Sequence, residues 1–582
     1  MKCLLAAINS KYIHSNPAVY LLKDCAERRK IPGVTVELAE YTINHHAAEI
    51  FDDIYLRHAD VVCFSCYIWN MEYVRKLVRN LKQLCPQMQI WLGGPEVSYD
   101  CEACLREFPQ ADGILYGEGE RSFPELLEVL TKRLPDMVDG MPDGCAWIDS
   151  QGMFRQTKPQ EPVLMDEIPF LYQDADGTSR MEQFQNRILY YETSRGCPFS
   201  CSYCLSSIDK KLRFRSMDLV KQELSFFLEN RVRQVKFVDR TFNCKKSHAM
   251  EIWRFLRDHD NGVTNFHFEI AADLLDEEEI RLLGTMRPGL VQLEIGVQTA
   301  NPDTITAINR KMNLERVARV TEEIRKVHNI HQHLDLIAGL PMENYESFGR
   351  SFDVVYRMKP SQLQLGFLKV LKGSPMQRQA EQYRILFQAE PPYEVLQTPW
   401  LSYEEVIRLK GVEEMVELYY NSGQFTGTVP VLLQSFERPF ELFEALADSY
   451  RRRGMQEKKY SREAQYQFLL EFGAEQGWTE ERMLVLRQAM TLDYYWREYA
   501  KKRPAFALSM EPYKEELRAA CRNEFPDRSY KEILQDYHPE VFVPPFTEKQ
   551  EIWLFDYKHR DPLDHNASVI KIGCRKEFQN NE

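Results

Sequence analysis

The stretch Arg195-Gly-Cys-Pro-Phe-Ser-Cys-Ser-Tyr-Cys204 spaces three cysteines as C-x3-C-x2-C, with an aromatic residue before the last. Three thiolates are one fewer than a four-iron cubane cluster takes. One iron would keep an open coordination position for a substrate or cofactor. The triplet follows an apolar run, Ile188-Leu-Tyr-Tyr-Glu-Thr193, that reads as a strand. The cysteines then sit on a loop at a strand's C-terminal end, where α/β enzymes carry their chemistry. On spacing alone, a zinc site or buried structural thiols is the other reading.

The bulk of the chain bounds the answer. Its 582 residues exceed one core and predict two to four domains. Hydrophobic content of 44% and charged content of 28% are those of a soluble globular protein. The net charge of -13 speaks against unguided binding to a nucleic-acid backbone. No apolar run approaches bilayer length, and Met1-Lys-Cys-Leu-Leu-Ala-Ala-Ile8 reads as a first strand, so a cytoplasmic protein is expected. The fourteen cysteines do not suggest a disulfide framework. Cys63-Phe-Ser-Cys66 and Cys101-Glu-Ala-Cys104 have metal-like spacing, but Cys63 lies in an apolar run and core thiols are the favoured reading.

Residues 1–150 alternate strand and helix signals, which implies an open, doubly wound parallel sheet of Rossmann-like type. Its strand-end loops are Ser65-Cys-Tyr-Ile-Trp-Asn70, Gly93-Gly-Pro-Glu96 and Gly117-Glu-Gly-Glu120, whose glycines allow close approach of a ligand. Residues 151–186 read as a linker, the Pro-, Asp- and Gly-rich character starting near 132. From 187 to 385 six strand–helix units predict a partial parallel barrel. Residues 386–582 turn to charged, aromatic-rich helical segments with no clear strand period.

The cysteine triplet with its aromatic residue, Tyr203, resembles the cluster motif of radical S-adenosylmethionine (SAM) enzymes, whose open iron takes the SAM amino and carboxylate groups. The resemblance assigns Cys197, Cys201 and Cys204 to a 4Fe-4S cluster and identifies no catalytic residue beyond it. Phe237-Val-Asp-Arg-Thr-Phe-Asn243 resembles the segment beside the methionine part of SAM and offers Asp239, Arg240 and Thr241; a solvated strand-end salt bridge is the alternative. The run Gly-Val-Gln … Asn-Arg … Asp-Leu-Ile-x-Gly-Leu-Pro resembles the branch that includes anaerobic coproporphyrinogen oxidase. There the matching residues, here Glu269, Gln298, Arg310 and Asp335, contact SAM.

The three N-terminal loops together resemble the domain of cobalamin-binding radical SAM enzymes, which places Ser65, Cys66, Trp69, Gly93, Gly94 and Pro95 beside cobalamin, with Gly117, Glu118 and Gly119. No Asp-x-His-x-x-Gly occurs, so the cobalt-ligating histidine of other cobalamin domains has no counterpart, and His14 reads as a surface or capping residue. The C-terminal third resembles the extension of an uncharacterised subgroup of that family, with lid and structural cap both open as roles. The resemblance implies a 5′-deoxyadenosyl radical made from SAM, and methylation of an unactivated carbon as the leading reaction. Oxidation, cyclisation or rearrangement without methyl transfer is the first alternative. A non-catalytic cluster protein that senses or relays electrons, with Cys244 closing the fourth iron, is the second. An electron donor such as flavodoxin or ferredoxin is the implied partner, with neither membrane nor nucleic acid expected.

Overall fold

A computed structural model describes residues 1–132, 140–174, 176–456, 458–500 and 502–572. The first sheet contains β1 (Lys2–Asn9), β2 (Thr35–Thr42), β3 (Val61–Ser65), β4 (Gln89–Gly93) and β5 (Gly113–Leu115), followed by β6 (Cys145–Ile148) and β7 (Phe154–Gln156). The order is β2-β1-β3-β4-β5-β6-β7, parallel through β5 and antiparallel after it. Helices cover both faces. Cys3, Leu5 and Ala7 of β1 join one core, and Leu4, Ala6 and Ile8 join the other, which is why β1 reads as a continuous apolar run. The strand order reverses between β1 and β3, and such a switch point opens a crevice at the carboxyl edge of the sheet. The sheet runs on to residue 156, so the segment read as a connecting region contributes two further strands, the second of them the sheet edge, before it becomes a linker.

Cys3, Cys63, Cys66, Cys101 and Cys104 are all buried in this domain, and the Cys3 and Cys63 sulfurs lie 3.9 Å apart.

The second sheet begins with β8 (Leu189–Tyr191). A short antiparallel pair, β9 (Ser194–Arg195) with β10 (Arg213–Phe214), then closes the base of the cysteine loop. The sheet continues through β11 (Gln234–Phe237), β12 (Asn265–Ile270), β13 (Val291–Gln298), β14 (His331–Ala338) and β15 (Gln362–Phe367). Its order, β15-β14-β13-β12-β11-β8, is wholly parallel, and its two edge strands do not pair with each other. The side chains segregate by alternation. In β13, Val291, Leu293, Ile295 and Val297 are buried under the helices, while Gln292, Glu294, Gly296 and Gln298 take the other face.

Both edges are covered. At β8 the Ile188 N–H donates to Ile13 O at 2.9 Å, and His14 forms a parallel bridge with Ile188. At β15 the side-chain amide of Asn421 accepts from Leu363 N and donates to Leu363 O, each at 2.8 Å, in place of a neighbouring strand. Asn421 ends a π-helical turn, Glu417–Asn421, that continues the helix Tyr403–Val416.

A small hairpin of β16 (Leu386–Phe387) and β17 (Val395–Gln397) leads into the helical region. That region is helical to Asp536, as expected, and ends in an antiparallel sheet of β18 (Tyr537–Phe542), β19 (Glu551–Arg560) and β20 (Ala567–Ile572) that the sequence reading did not include. Its apolar face is small (Val541, Ile552, Leu554 and Ile572 against Leu517, Cys521 and Ile533), so the alternation is faint.

Removing the amide that caps β15 should cost the edge its two bonds. Asn421→Ala is expected to destabilise the protein by about 1–3 kcal/mol, measured as a lower thermal unfolding midpoint with SAM binding retained.

Candidate active site at the barrel mouth

The cysteine loop leaves β9 through Gly196, whose φ of +93° belongs to glycine, and where a Cβ would stand 2.6 Å from Lys211 O. Cys197 N donates to Asp209 O at 2.9 Å, which turns the loop back on itself. Ser202 N donates to Ile308 O and Met376 N to Ser202 O, seating the loop against the chain beyond β13 and β15. Cys197 and Cys201 are buried, Cys204 is half-buried, and none is in a disulfide.

The three cysteines line a cavity of about 250 Å³ together with Tyr203, Arg240, Thr241, Glu269, Gln298, Arg310 and Asp335. Residues expected from six separate segments are thus gathered at one place. Arg310 donates to Tyr203 Oη at 2.9 Å and to Gly296 O, and its Nη1 lies 3.7 Å from Cys201 Sγ. Thr241 Oγ1 is 3.7 Å from Cys197 Sγ.

Asp239 is the exception and corrects the sequence reading. It is fully buried and accepts hydrogen bonds from Thr193 N (2.9 Å), Thr193 Oγ1 (2.6 Å) and Ser194 Oγ (2.6 Å). Its carboxylate pins the strand end that feeds the cysteine loop and takes no place in the cavity wall. Cys244 sits on the short turn Phe242–Cys244 and is not among the lining residues either.

A polar ligand fits this cavity. Gln298 Oε1 and Arg310 Nε are buried without hydrogen-bond partners, which folded proteins seldom tolerate without a bound group. Gln298 also has a φ of +72°, and the β13–β14 register shifts between Gly296 and Gln298. Such bulges re-aim side chains beside active sites. Burial pushes the Glu269 carboxyl up to about 7, helped by the Glu294 charge and opposed by Lys236. Burial also works to raise Glu294, but the His267 hydrogen bond and Lys236 hold it at about 2. At neutral pH Glu294 is ionised while Glu269 stands between its two forms, so the Glu269 carboxyl can either donate or accept.

The loops expected to meet cobalamin stand at the carboxyl edge of the first sheet. Trp69 is 41% exposed, stacks on Tyr67 with ring centroids 4.5 Å apart, and donates to Ile8 O at 3.0 Å. Gly94 has a φ of +112°, and a Cβ there would stand 2.5 Å from Cys66 O, so the glycine lets the two loops touch. Ser65 Oγ accepts from Asn16 at 2.9 Å. Gly93, Pro95 and Gly117 border the same edge.

Three of the expected contacts go elsewhere. The Cys66 thiol is fully buried and points at Phe64 O. Glu118 pairs with Arg213 and accepts from Val163 N at 2.9 Å. Gly119 makes room for Leu22. Sequence reading passed over Tyr12, Tyr67 and Tyr99, although a large aromatic on each of three strand-end loops was a visible signal for a flat ligand. Tyr12 is 62% and Tyr99 43% exposed.

These loops lie within electrostatic reach of the cysteine cavity. Burial raises the phenols of Tyr67 and Tyr99, and in each case the Arg240 guanidinium pulls the other way; the Cys204 thiol is also within reach of Tyr99. His14 is no capping residue: its Nδ1 lies 2.5 Å from Tyr190 Oη on β8. Arg195, the first residue of the cysteine stretch, pairs with Glu120 at 2.5 Å and Glu118 at 3.5 Å in the first domain and with Glu192 at 2.9 Å in its own.

Comparison with known proteins follows the same division. Residues 4–127 match the B12 binding domain, 191–355 the radical SAM superfamily, and 381–552 a protein of unknown function, DUF4080. The chain is 29% identical over 312 residues to the 2-(S-pantetheinyl)-carbapenam-3-carboxylate methyltransferase of Streptantibioticus cattleyicolor. It is 27% identical to the cobalamin-dependent radical SAM methyltransferase TokK of Streptomyces tokunonensis. Each match covers 50% of this chain and 44% of the relative, so the chain spans about half the length of these curated relatives. Among solved structures, the cobalamin-dependent SAM radical enzyme OxsB with aqua-cobalamin and SAM bound shares the fold at a TM-score of 0.58. That match has 13% identity and covers 91% of this chain and 82% of the other.

Two substitutions test the cavity. Cys201→Ala is expected to abolish SAM cleavage and most of the iron after anaerobic reconstitution; cleavage that survives would refute the cluster assignment. Gln298→Gly removes an amide while easing a left-handed backbone. It should unfold no earlier than the parent yet bind SAM at least ~10-fold more weakly, by equilibrium dialysis at unchanged iron content.

Proposed function

We propose that this chain, which belongs to the cobalamin-binding-domain radical SAM family, transfers a methyl group to an unactivated carbon of its substrate. When bound, the cluster and SAM supply a 5′-deoxyadenosyl radical and cobalamin supplies the methyl group. The observation that carries the reading is the neighbour the two sites share: Arg240 lines the three-cysteine cavity, and its guanidinium acts on Tyr67 and Tyr99 of the corrin-side loops. The methyltransferases among its relatives support methyl transfer over an outcome without it.

The residues divide the work. Cys197, Cys201 and Cys204 would hold three irons. Gln298 Oε1 and Arg310 Nε, the two partnerless buried atoms, would meet polar groups of SAM, with Glu269 and Asp335 on the facing strands. Arg240 stands where it can face a carboxylate, and Asp239 acts behind it by fixing Thr193 and Ser194. Trp69 stacked on Tyr67, with Tyr12 and Tyr99, would pack against the corrin, while Gly94 keeps the loop beneath it close.

Water exclusion falls to the segment beyond β15. Leu368, Val370, Met376 and Val395 form an apolar cluster with Tyr203, and Gly373 packs on the Tyr99 ring. We assign this first part of the C-terminal region a capping role. Tyr393 Oη donates to Glu96 at 2.8 Å and ties that cap to the first domain.

No helix among the described residues is long and apolar enough to cross a membrane. A small electron-transfer protein such as a flavodoxin or ferredoxin in the cytoplasm is the proposed reductant source, and nucleic acid is no part of the reading for a chain of net charge -13.

Protein purified anaerobically, mixed with hydroxocobalamin and desalted should retain near-stoichiometric cobalamin by absorbance. Turnover should then yield S-adenosylhomocysteine alongside 5′-deoxyadenosine. SAM cleavage that gives 5′-deoxyadenosine alone, from protein that retains no cobalamin, would overturn methyl transfer and leave the radical assignment standing.

A further inference from the structure

On the inner face of the barrel, Glu294 and His333 are polar side chains that the reading above leaves without a task. Glu294 on β13 stands directly opposite His333 on β14 in the parallel register, and Asp335 follows on the same face, opposite Gly296. One donor atom from each of Glu294, His333 and Asp335 lies within 4.8 Å of the other two. His333 is 7% exposed. Its Nε2 is 2.9 Å from Asp335 Oδ1, yet neither buried atom has an aligned hydrogen bond. An imidazole nitrogen and a carboxylate oxygen at that spacing, with no aligned N–H between them, stand as two ligands of one cation would. A cation about 2.1 Å from each would see them about 90° apart, the angle between neighbouring ligands of an octahedron.

The surroundings agree with a cation. Lys236 Nζ (2.9 Å) and His267 Nε2 (3.0 Å) both approach Glu294 through Oε2, which leaves Oε1 to bind and gives the carboxylate the outer support that ligating carboxylates carry. Glu269 and Glu294 flank the ammonium of Lys236, which acts on Asp335 as well, so the carboxylates are held together in one polar place. Asp335 reaches His333 through Oδ1, which frees Oδ2 for the SAM cavity that it also lines.

We propose that Glu294, His333 and Asp335 form a binding site for a divalent first-row transition ion, in the class of Mn²⁺, Fe²⁺ or Zn²⁺. One imidazole and two carboxylates are the donor mix of such ions. Three protein ligands leave positions open, and a substrate oxygen or nitrogen would fill them, so that the ion holds the substrate under the SAM cavity. The site stands on its own geometry and does not depend on the methyl-transfer reading.

The test is a Mn²⁺ titration of the full chain carrying its reconstituted cluster, without SAM or cobalamin, followed by the six-line electron paramagnetic resonance signal of free Mn²⁺. One equivalent should be withdrawn from that signal and returned by Zn²⁺. Glu294→Gln and His333→Gln should each weaken binding at least ~10-fold at unchanged cluster iron. No withdrawal by wild-type protein up to millimolar Mn²⁺ would overturn the site, whether or not either variant keeps its cluster. So would binding that survives both substitutions, or that is lost instead in Asp561→Asn, which breaks the exposed group of His328, Asp561 and Asp564.

Discussion

A parallel sheet that curls without closing leaves two edges of unpaired backbone, and the architecture of this protein answers that constraint. Each edge strand needs partners for its N–H and C=O groups. The first domain covers one edge with Ile13 and His14, and the C-terminal region covers the other with the amide of Asn421. The same loop that serves β8 leaves β1 at the switch point of the first sheet, where a corrin would lie. Docking to satisfy the backbone therefore also brings Tyr67 and Tyr99 within electrostatic reach of Arg240 in the cysteine cavity.

Inside the half-barrel the chemistry is set by alternation. The outward residues of β12 to β14 are packed and, apart from Gln332, apolar, so the inward ones are free to be Glu269, Glu294, Gln298, His333 and Asp335. The bulge at the end of β13 turns Gln298 into the cavity wall at the cost of an unfavourable φ. Glu269 and Glu294 show how far environment separates identical groups: a hydrogen-bonded imidazole and a lysine keep one ionised, while burial beside its neighbour raises the other.

What could be read in advance was whatever is local in sequence. The cysteine spacing, the six strand–helix units and the unbroken apolar run of β1 all write their structure within ten residues or so. What could not be read depends on partners far away. Asp239 looks like a ligand at a strand end until Thr193 and Ser194, some 45 residues earlier, claim its oxygens. Glu118 looks like part of a corrin loop until Arg213 reaches it from the next domain. The strands β6, β7 and β18 to β20 are short or half-polar, and their pairing rather than their composition makes them strands. The aromatic residues Tyr12, Tyr67 and Tyr99 were visible but unremarkable singly; only the sheet topology puts them on one edge.

The Arg195 fork carries a consequence for assembly. The residue that opens the cysteine stretch is gripped by Glu192 from its own domain and by Glu118 and Glu120 from the other. A loop anchored across a domain boundary takes its final shape only after both domains have folded and met. On the proposed cluster assignment, metal loading would then come last in the life of the chain, and a protein whose first domain has not yet docked would offer incoming iron three thiols in no fixed arrangement.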